Sequence, residues 1–256
     1  MASTTEIAWT DSTFNPWWGC TAIAPGCDHC YAQSLDKRTG GDHWGAHKTY
    51  KIMSDNNWKN PLRWERKADA FFKEHGRKRR VFCASMSDVA DYKAPDGQRE
   101  RLWETIKATP SLDWQVLTKR PSNMAKLLPA DWGAGYANVW LGVTVENIQH
   151  GIPRIDVLRE IPAVLRFLSI EPLLEDLGEI NLSGIHWVIV GGESGGKARP
   201  MKKEWVLNIR NQCLQQNVPF FFKQWGAIVG KGGCELDGYE IKEWPKATDY
   251  SSQEEA

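Results

Sequence analysis

Trp187-Val188-Ile189-Val190 runs straight into Gly191-Gly192-Glu193-Ser194-Gly195-Gly196. A short run of aromatic and β-branched residues reads as a buried strand, and the glycines behind it read as the turn that ends it. The same hand-over recurs on both sides of this stretch. Arg80 to Ala84 gives way to Ser85-Met86-Ser87-Asp88, and Trp114 to Leu117 gives way to Thr118-Lys119-Arg120-Pro121. Val139 to Val143 is followed by Thr144-Val145-Glu146-Asn147, and Val164 to Ser169 by Ile170-Glu171-Pro172. Pro219 to Phe222 meets Lys223-Gln224-Trp225, and the earliest run, Thr13 to Trp18, ends at Gly19-Cys20. Each candidate strand therefore delivers polar, chemically capable residues at its carboxyl end.

Between these runs lie segments of helical period: Asn60 to His75, Gly97 to Thr109, Ile152 to Glu160 and Lys203 to Gln216. In the second of them Leu102, Trp103 and Ile106 fall on one stripe, with Arg99, Glu100, Glu104 and Lys107 on the other. Strands alternating with helices predict an α/β fold, a partial or full (β/α) TIM-like barrel of parallel strands. In such folds the carboxyl ends of the strands share one face, where active sites sit. The 256-residue length suits one such domain, expected over residues 1–248, with a disordered polar tail at 249–256.

The formal net charge is zero, so nothing draws the whole chain toward nucleic acid, although a local basic groove stays open. No run approaches the ~18 apolar residues of a membrane helix, and the amino terminus has no basic segment leading into an apolar one. The expected setting is cytoplasmic, with reduced thiols. Trp9, Trp17, Trp18, Trp44, Trp58 and Trp64 crowd the first quarter of the chain. Core filling explains them first, and a stacking surface for bases or an adenine ring is the alternative.

The chemistry concentrates in Gly19-Cys20-Thr21-Ala22-Ile23-Ala24-Pro25-Gly26-Cys27-Asp28-His29-Cys30-Tyr31. Thiolates at such short spacings hold iron–sulfur clusters, and three of them leave one iron open for chemistry. A closed structural zinc site needs a fourth ligand. His29, His43, His47, Cys83 or Cys234 could supply one, but none stands at the spacing of a standard second ligand pair. The alternative function is accordingly a non-enzymatic, zinc-stapled binding module with a Trp-rich partner surface.

With these residues in view, the chain resembles the radical S-adenosylmethionine (radical SAM) superfamily. It resembles in particular a phage-associated three-cysteine-motif family, distantly similar to the radical SAM lyases of DNA lesions such as spore photoproduct lyase. The resemblance rests on Ile7-Ala8-Trp9-Thr10-Asp11 through Cys30-Tyr31-Ala32, Leu117-Thr118-Lys119-Arg120-Pro121, Ser169-Ile170-Glu171-Pro172-Leu173, Gly191-Gly192-Glu193-Ser194 and Phe222-Lys223-Gln224-Trp225-Gly226. Two features depart from the wider superfamily. Six residues rather than three separate the first two cysteines, and His29 replaces the usual aromatic before the last, with Tyr31 just after it.

The resemblance implies a radical SAM-type barrel with a four-iron–four-sulfur cluster on Cys20, Cys27 and Cys30. S-adenosylmethionine is the implied partner, with an electron donor and a nucleic acid or nucleotide substrate. Tyr31 is the aromatic candidate beside the cofactor, Ser85, Ser87 and Asp88 lie where the methionine part is contacted, and Thr144 and Glu146 lie where ribose hydroxyls are contacted. Gly191 and Gly192 are expected to allow close backbone approach to a ligand. Glu171, Glu193 and Lys223 are the catalytic candidates, and Arg166, Lys119 or Lys223 are candidate ion-pair partners for Glu171. Arg77-Lys78-Arg79-Arg80 is expected as a solvated turn, His186 as a structural residue, and Cys83, Cys213 and Cys234 as inert buried thiols.

Overall fold

The structure is a computed structural model that describes residues 5–226 and 232–246. The expected tail at 249–256 lies outside the described residues. In chain order the elements are β1 (Ser12–Thr13), β2 (Trp17–Trp18), a 3₁₀ turn (Pro25–Cys27), α1 (Tyr31–Arg38), β3 (Lys51–Ile52), α2 (Asp55–Glu65), α3 (Ala68–His75) and β4 (Arg79–Cys83). They continue with α4 (Gln98–Lys107), β5 (Leu112–Thr118), α5 (Pro121–Leu127), β6 (Val139–Thr144), α6 (Ile148–Arg159), β7 (Leu165–Ile170), β8 (Trp187–Gly191), α7 (Lys203–Gln215) and β9 (Phe220–Gln224). A hairpin of β10 (Glu235–Leu236) and β11 (Tyr239–Glu240) follows. Among the described residues no helix is long and apolar enough to cross a membrane.

The fold is α/β, with parallel strands in the order β1-β4-β5-β6-β7-β8-β9, as a partial (β/α) barrel requires. Within that sheet the chain divides into two compact units, residues 1–22 with 32–141 and residues 23–31 with 142–256. In the first, β4 pairs in parallel with β1 and with β5, where Val81 stands opposite Trp114 and Cys83 opposite Val116. In the second, β8 pairs in parallel with β7 and β9, and every residue of β8 is buried. Strands covered on both faces must be apolar throughout, which is why the starting run Trp187 to Val190 shows no alternation.

The six strand runs after the first, and three of the four helical segments, fall within a few residues of their expected places. The first strand does not hold as one element. Pro16 has no N–H to give a ladder, so the chain leaves the parallel sheet after Thr13 and resumes as β2 against β3, in antiparallel pairing. The expected helix Asn60 to His75 is two helices. The turn closes at Arg66 and Lys67, whose amides donate to Leu62 O and Trp64 O, and this lets Trp58 and Trp64 on α2 and Phe71 on α3 all reach the core.

The Arg77–Arg80 run is a further correction, because it is not simply solvated. Arg77 makes two bonds to Asp11 (2.7 and 2.9 Å), and Arg79 donates to Ser12 Oγ and lies 4.2 Å from the Phe71 ring centroid. Arg80 is buried beside Trp140. Long cationic side chains at the start of a strand bury their stems along apolar neighbours. Of the crowded tryptophans, Trp9, Trp17, Trp58 and Trp64 are buried, as core filling requires, while Trp18 and Trp44 are half-buried.

Candidate active site

In the first unit the polar residues behind β2, β4 and β5 are organised by Arg120. Its Nη1 donates to Asp88 Oδ2 at 2.8 Å and to Cys20 Sγ at 3.6 Å, and its Nη2 donates to the Thr21 carbonyl at 2.5 Å. Asp91 stands 3.5 Å from the same guanidinium. Asp88 also accepts from Thr118 Oγ1 (2.6 Å), Ala90 N and Lys119 N, so each carboxylate oxygen has protein donors. Tyr50 OH donates to Asp91 Oδ2 and meets Thr21 Oγ1. Burial pushes the Cys20 thiol up to about 12, with Asp88 adding to the rise and Arg120 opposing it.

Backbone geometry fixes where Cys20 begins. Gly19 has φ +129°, and a Cβ there would lie 2.4 Å from the Tyr50 ring and 2.6 Å from the His43 carbonyl. Its amide donates to the Met86 carbonyl, and a parallel bridge joins Gly19 to Ser87. Ser85 Oγ accepts from Asn15 Nδ2. Ser87 differs from these neighbours: its buried hydroxyl has no hydrogen-bond partner among the described residues. Such an orphaned group is costly to bury.

In the second unit the thiols of Cys27 and Cys30 sit on and just after the 3₁₀ turn, both half-buried. Glu193, behind β8, accepts from His29 Nδ1 (2.9 Å), from the Arg199 amide and Nε (2.9 Å each) and from Arg199 Nη2 (2.5 Å). Arg199 Nη2 also donates to the Pro25 carbonyl at 2.9 Å. Burial raises the Glu193 carboxyl, but the bonds from Arg199 and His29 outweigh it and hold the group down to about 2. Glu193 is therefore an ionised anchor at neutral pH.

The other expected residues of this unit have protein partners as well. Glu146 is fully buried and bonds Arg154 at 2.5 and 3.3 Å, while Arg154 also donates to the Thr144 carbonyl. A Cβ on Gly26 would come within 3.2 Å of Glu146 Cγ, so the cysteine turn rests directly on this ion pair. Glu171 pairs with Lys223, one of its three candidate partners, at 2.9 Å, and Ser169 Oγ donates to it. A Cβ on Gly191 would stand 2.6 Å from Glu171 Oε1, and one on Gly192 would stand 1.8 Å from the Trp225 carbonyl. The close approach these glycines permit is thus to the protein's own backbone and carboxylate. Tyr31 is exposed at the start of α1. His186 Nδ1 accepts from the Arg166 amide, a structural bond. Cys83 and Cys213 are buried, whereas Cys234 is half-buried and donates to Glu240.

None of the cysteines forms a disulfide. The donor set of Cys20, Cys27 and Cys30 suits an iron–sulfur cluster by its chemistry, three thiols on one short loop. Among the described residues no three His, Cys, Asp or Glu side chains are already drawn together as a metal-holding group. Sequence reasoning had no means of finding Arg154, Arg199 or Tyr50. Arg154 lies only 8 residues from Glu146, but helical period alone does not turn it inward, whereas Tyr50 and Asp91 are 41 residues apart and Arg199 and Pro25 are 174 apart. Arg120 was visible only as a cation behind a strand.

No curated protein matches the chain. Among solved structures, the chain is similar to a spore photoproduct lyase variant with bound AdoMet and dinucleoside spore photoproduct. The identity is 15%, the match covers 78% of this chain and 60% of that one, and the TM-score is 0.43. A second spore photoproduct lyase variant is 13% identical over 98% of this chain and 73% of its own length, with TM-score 0.46. The chain thus spans about 60% of the first of these proteins. The family model described as "Protein of unknown function (DUF5131)" matches residues 4–245, and the chain belongs to that family.

Proposed function

We propose that the protein is a radical SAM enzyme in which Cys20, Cys27 and Cys30 hold a four-iron–four-sulfur cluster. The observation that carries the reading is how differently the fold treats the polar groups behind its strands. Asp88, Glu146 and Glu193 are saturated by protein donors, whereas the three loop cysteines stay out of disulfides and the Ser87 hydroxyl is buried without a partner. When bound, such a cluster supplies an electron that cleaves S-adenosylmethionine reductively to start hydrogen abstraction. The chain's share is binding and orientation. Ser87 Oγ offers one hydrogen bond to a polar group of the cofactor, and the Arg120 guanidinium beside Cys20 opposes the rise that burial and Asp88 impose on its thiol. Glu146 backs the cysteine turn at Gly26, Thr144 ends β6 with its carbonyl on Arg154, and the Glu171–Lys223 pair is the substrate-facing candidate, able to hold or move a proton between Oε1 and Nζ. Nucleic acid or nucleotide is the substrate class carried by the sequence resemblance, an electron donor completes the system, and a reducing, cytoplasmic setting agrees with loop cysteines that form no disulfide.

Purification without oxygen, followed by iron and sulfide analysis and an assay for 5′-deoxyadenosine, tests the reading. The expected result is a brown protein that cleaves S-adenosylmethionine under reduction and loses its iron in C20A, C27A or C30A, but not in C213A. A colourless protein carrying stoichiometric zinc would overturn it. S87A is expected to retain iron and fold while binding S-adenosylmethionine about tenfold more weakly, the scale of one lost hydrogen bond.

A further inference from the structure

The turn that carries Cys27 and Cys30 has little regular structure of its own. Its internal backbone bonds are Cys27 N to Ala24 O, Asp28 N to Pro25 O and Cys30 N to Cys27 O, the last a long 3.3 Å. Ala24 caps the turn without a side-chain bond. An assembly centred on Arg199 grips it from outside. Arg199 Nη2 bonds the Pro25 carbonyl, its Nη1 stands 3.5 Å from Asp28 Oδ2, and the same guanidinium is fastened to Glu193 through Nε and Nη2. Glu193 in turn reaches the turn directly through His29. From below, Gly26 seats on Glu146, where an added Cβ would come within 3.2 Å of the Glu146 Cγ.

We infer that Arg199, anchored by Glu193, is a positioning residue that holds the Cys27–Cys30 turn in its binding conformation, and that Glu193 serves as this anchor rather than as an acid or base. The inference deepens the cluster-binding reading and rests on it. A planar guanidinium can grip a carboxylate and a carbonyl at once, which an ammonium cannot do with the same geometry. A carboxylate whose two oxygens already accept four donors has no proton to give and little acceptor capacity left to take one.

The test uses the reduced full-length chain without iron, alkylated with iodoacetamide and followed cysteine by cysteine by mass spectrometry. In R199A, Cys27 and Cys30 are expected to label about tenfold faster than in the parent, as the loss of a charge-assisted bond implies. Buried Cys213 should keep its parent rate. E193Q should move the same two thiols in the same direction, and R199K, which retains the charge but not the two-sided grip, should fall between. After anaerobic reconstitution R199A should also hold less iron per chain. Parent rates at Cys27 and Cys30 in R199A, or an acceleration that includes Cys213 equally, overturns the inference. A parent chain that takes up no iron or sulfide while R199A still frees the two thiols defeats the cluster reading and leaves the positioning role standing.

Discussion

Gly192 has no space for even one more carbon. A Cβ there would stand 1.8 Å from the Trp225 carbonyl and 3.1 Å from the Gly226 amide, and both are backbone atoms that cannot swing aside. Gly196, four residues on, has nothing within 4 Å and no left-handed φ. G192A is therefore expected to destabilise by about 3 kcal/mol or more, the upper range for overpacking, and G196A to stay within about 0.5 kcal/mol. Denaturant titration of the pair measures the difference, and equal midpoints would show that β8 and β9 can part at no cost. The sequence displays both as members of one Gly-rich turn. Only the neighbour across the sheet separates them, and that neighbour is more than thirty residues away in the chain.

At the scale of elements, the buried pair between Glu146, behind β6, and Arg154, on α6, ties helix to strand. Its carboxylate is fully buried, and Arg154 also satisfies the Thr144 carbonyl at the strand's end. Replacing one partner leaves the other charge buried and unmatched, which costs about 3–5 kcal/mol. R154M is expected to lose stability of that order in urea unfolding, and E146Q to lose less because an amide can still accept from the guanidinium. If R154M unfolds at the parent midpoint, the pair contributes nothing. The helix α6 was legible from its apolar period, and Asn147 accepts from the His150 amide as its cap. That its arginine points inward was not legible, since an isolated Arg on a helix reads as solvated.

For the molecule as a whole, two carboxyls give opposite pH responses. Glu193 is held down to about 2 from an ordinary 4.5, so its contribution is complete above 4.5 and is lost as the pH falls toward 2. Asp113 is raised to about 6 from 3.8, burial outweighing Lys78, Arg80 and Arg77, so ionising it opposes folding. That penalty is complete above 6 and relieved as the pH falls toward 3.8. Stability is expected to rise from pH 7 to between 4 and 5 and then to fall, as read by thermal unfolding across pH. D113N should raise stability at pH 7 and flatten the rise, whereas E193Q should weaken the fall, and a D113N curve parallel to the parent would contradict the assignment. Local apolar runs with polar ends were enough to place six strands of the parallel sheet, three of the helices and the α/β class, because secondary structure follows from periodicity and turn residues within a few positions, whereas the break at Pro16 and the split of the Asn60 to His75 segment were not legible. The thiol-bearing loop could likewise be read as a metal-binding candidate from its spacing. Which acidic residues stay available for chemistry was settled by folding alone. Asp88, Glu146 and Glu193 look equivalent behind their strands, but each is matched by an arginine 32, 8 or 6 residues away that only the folded chain aims at it. An ion pair depends on direction and burial, and neither is written in the order of residues.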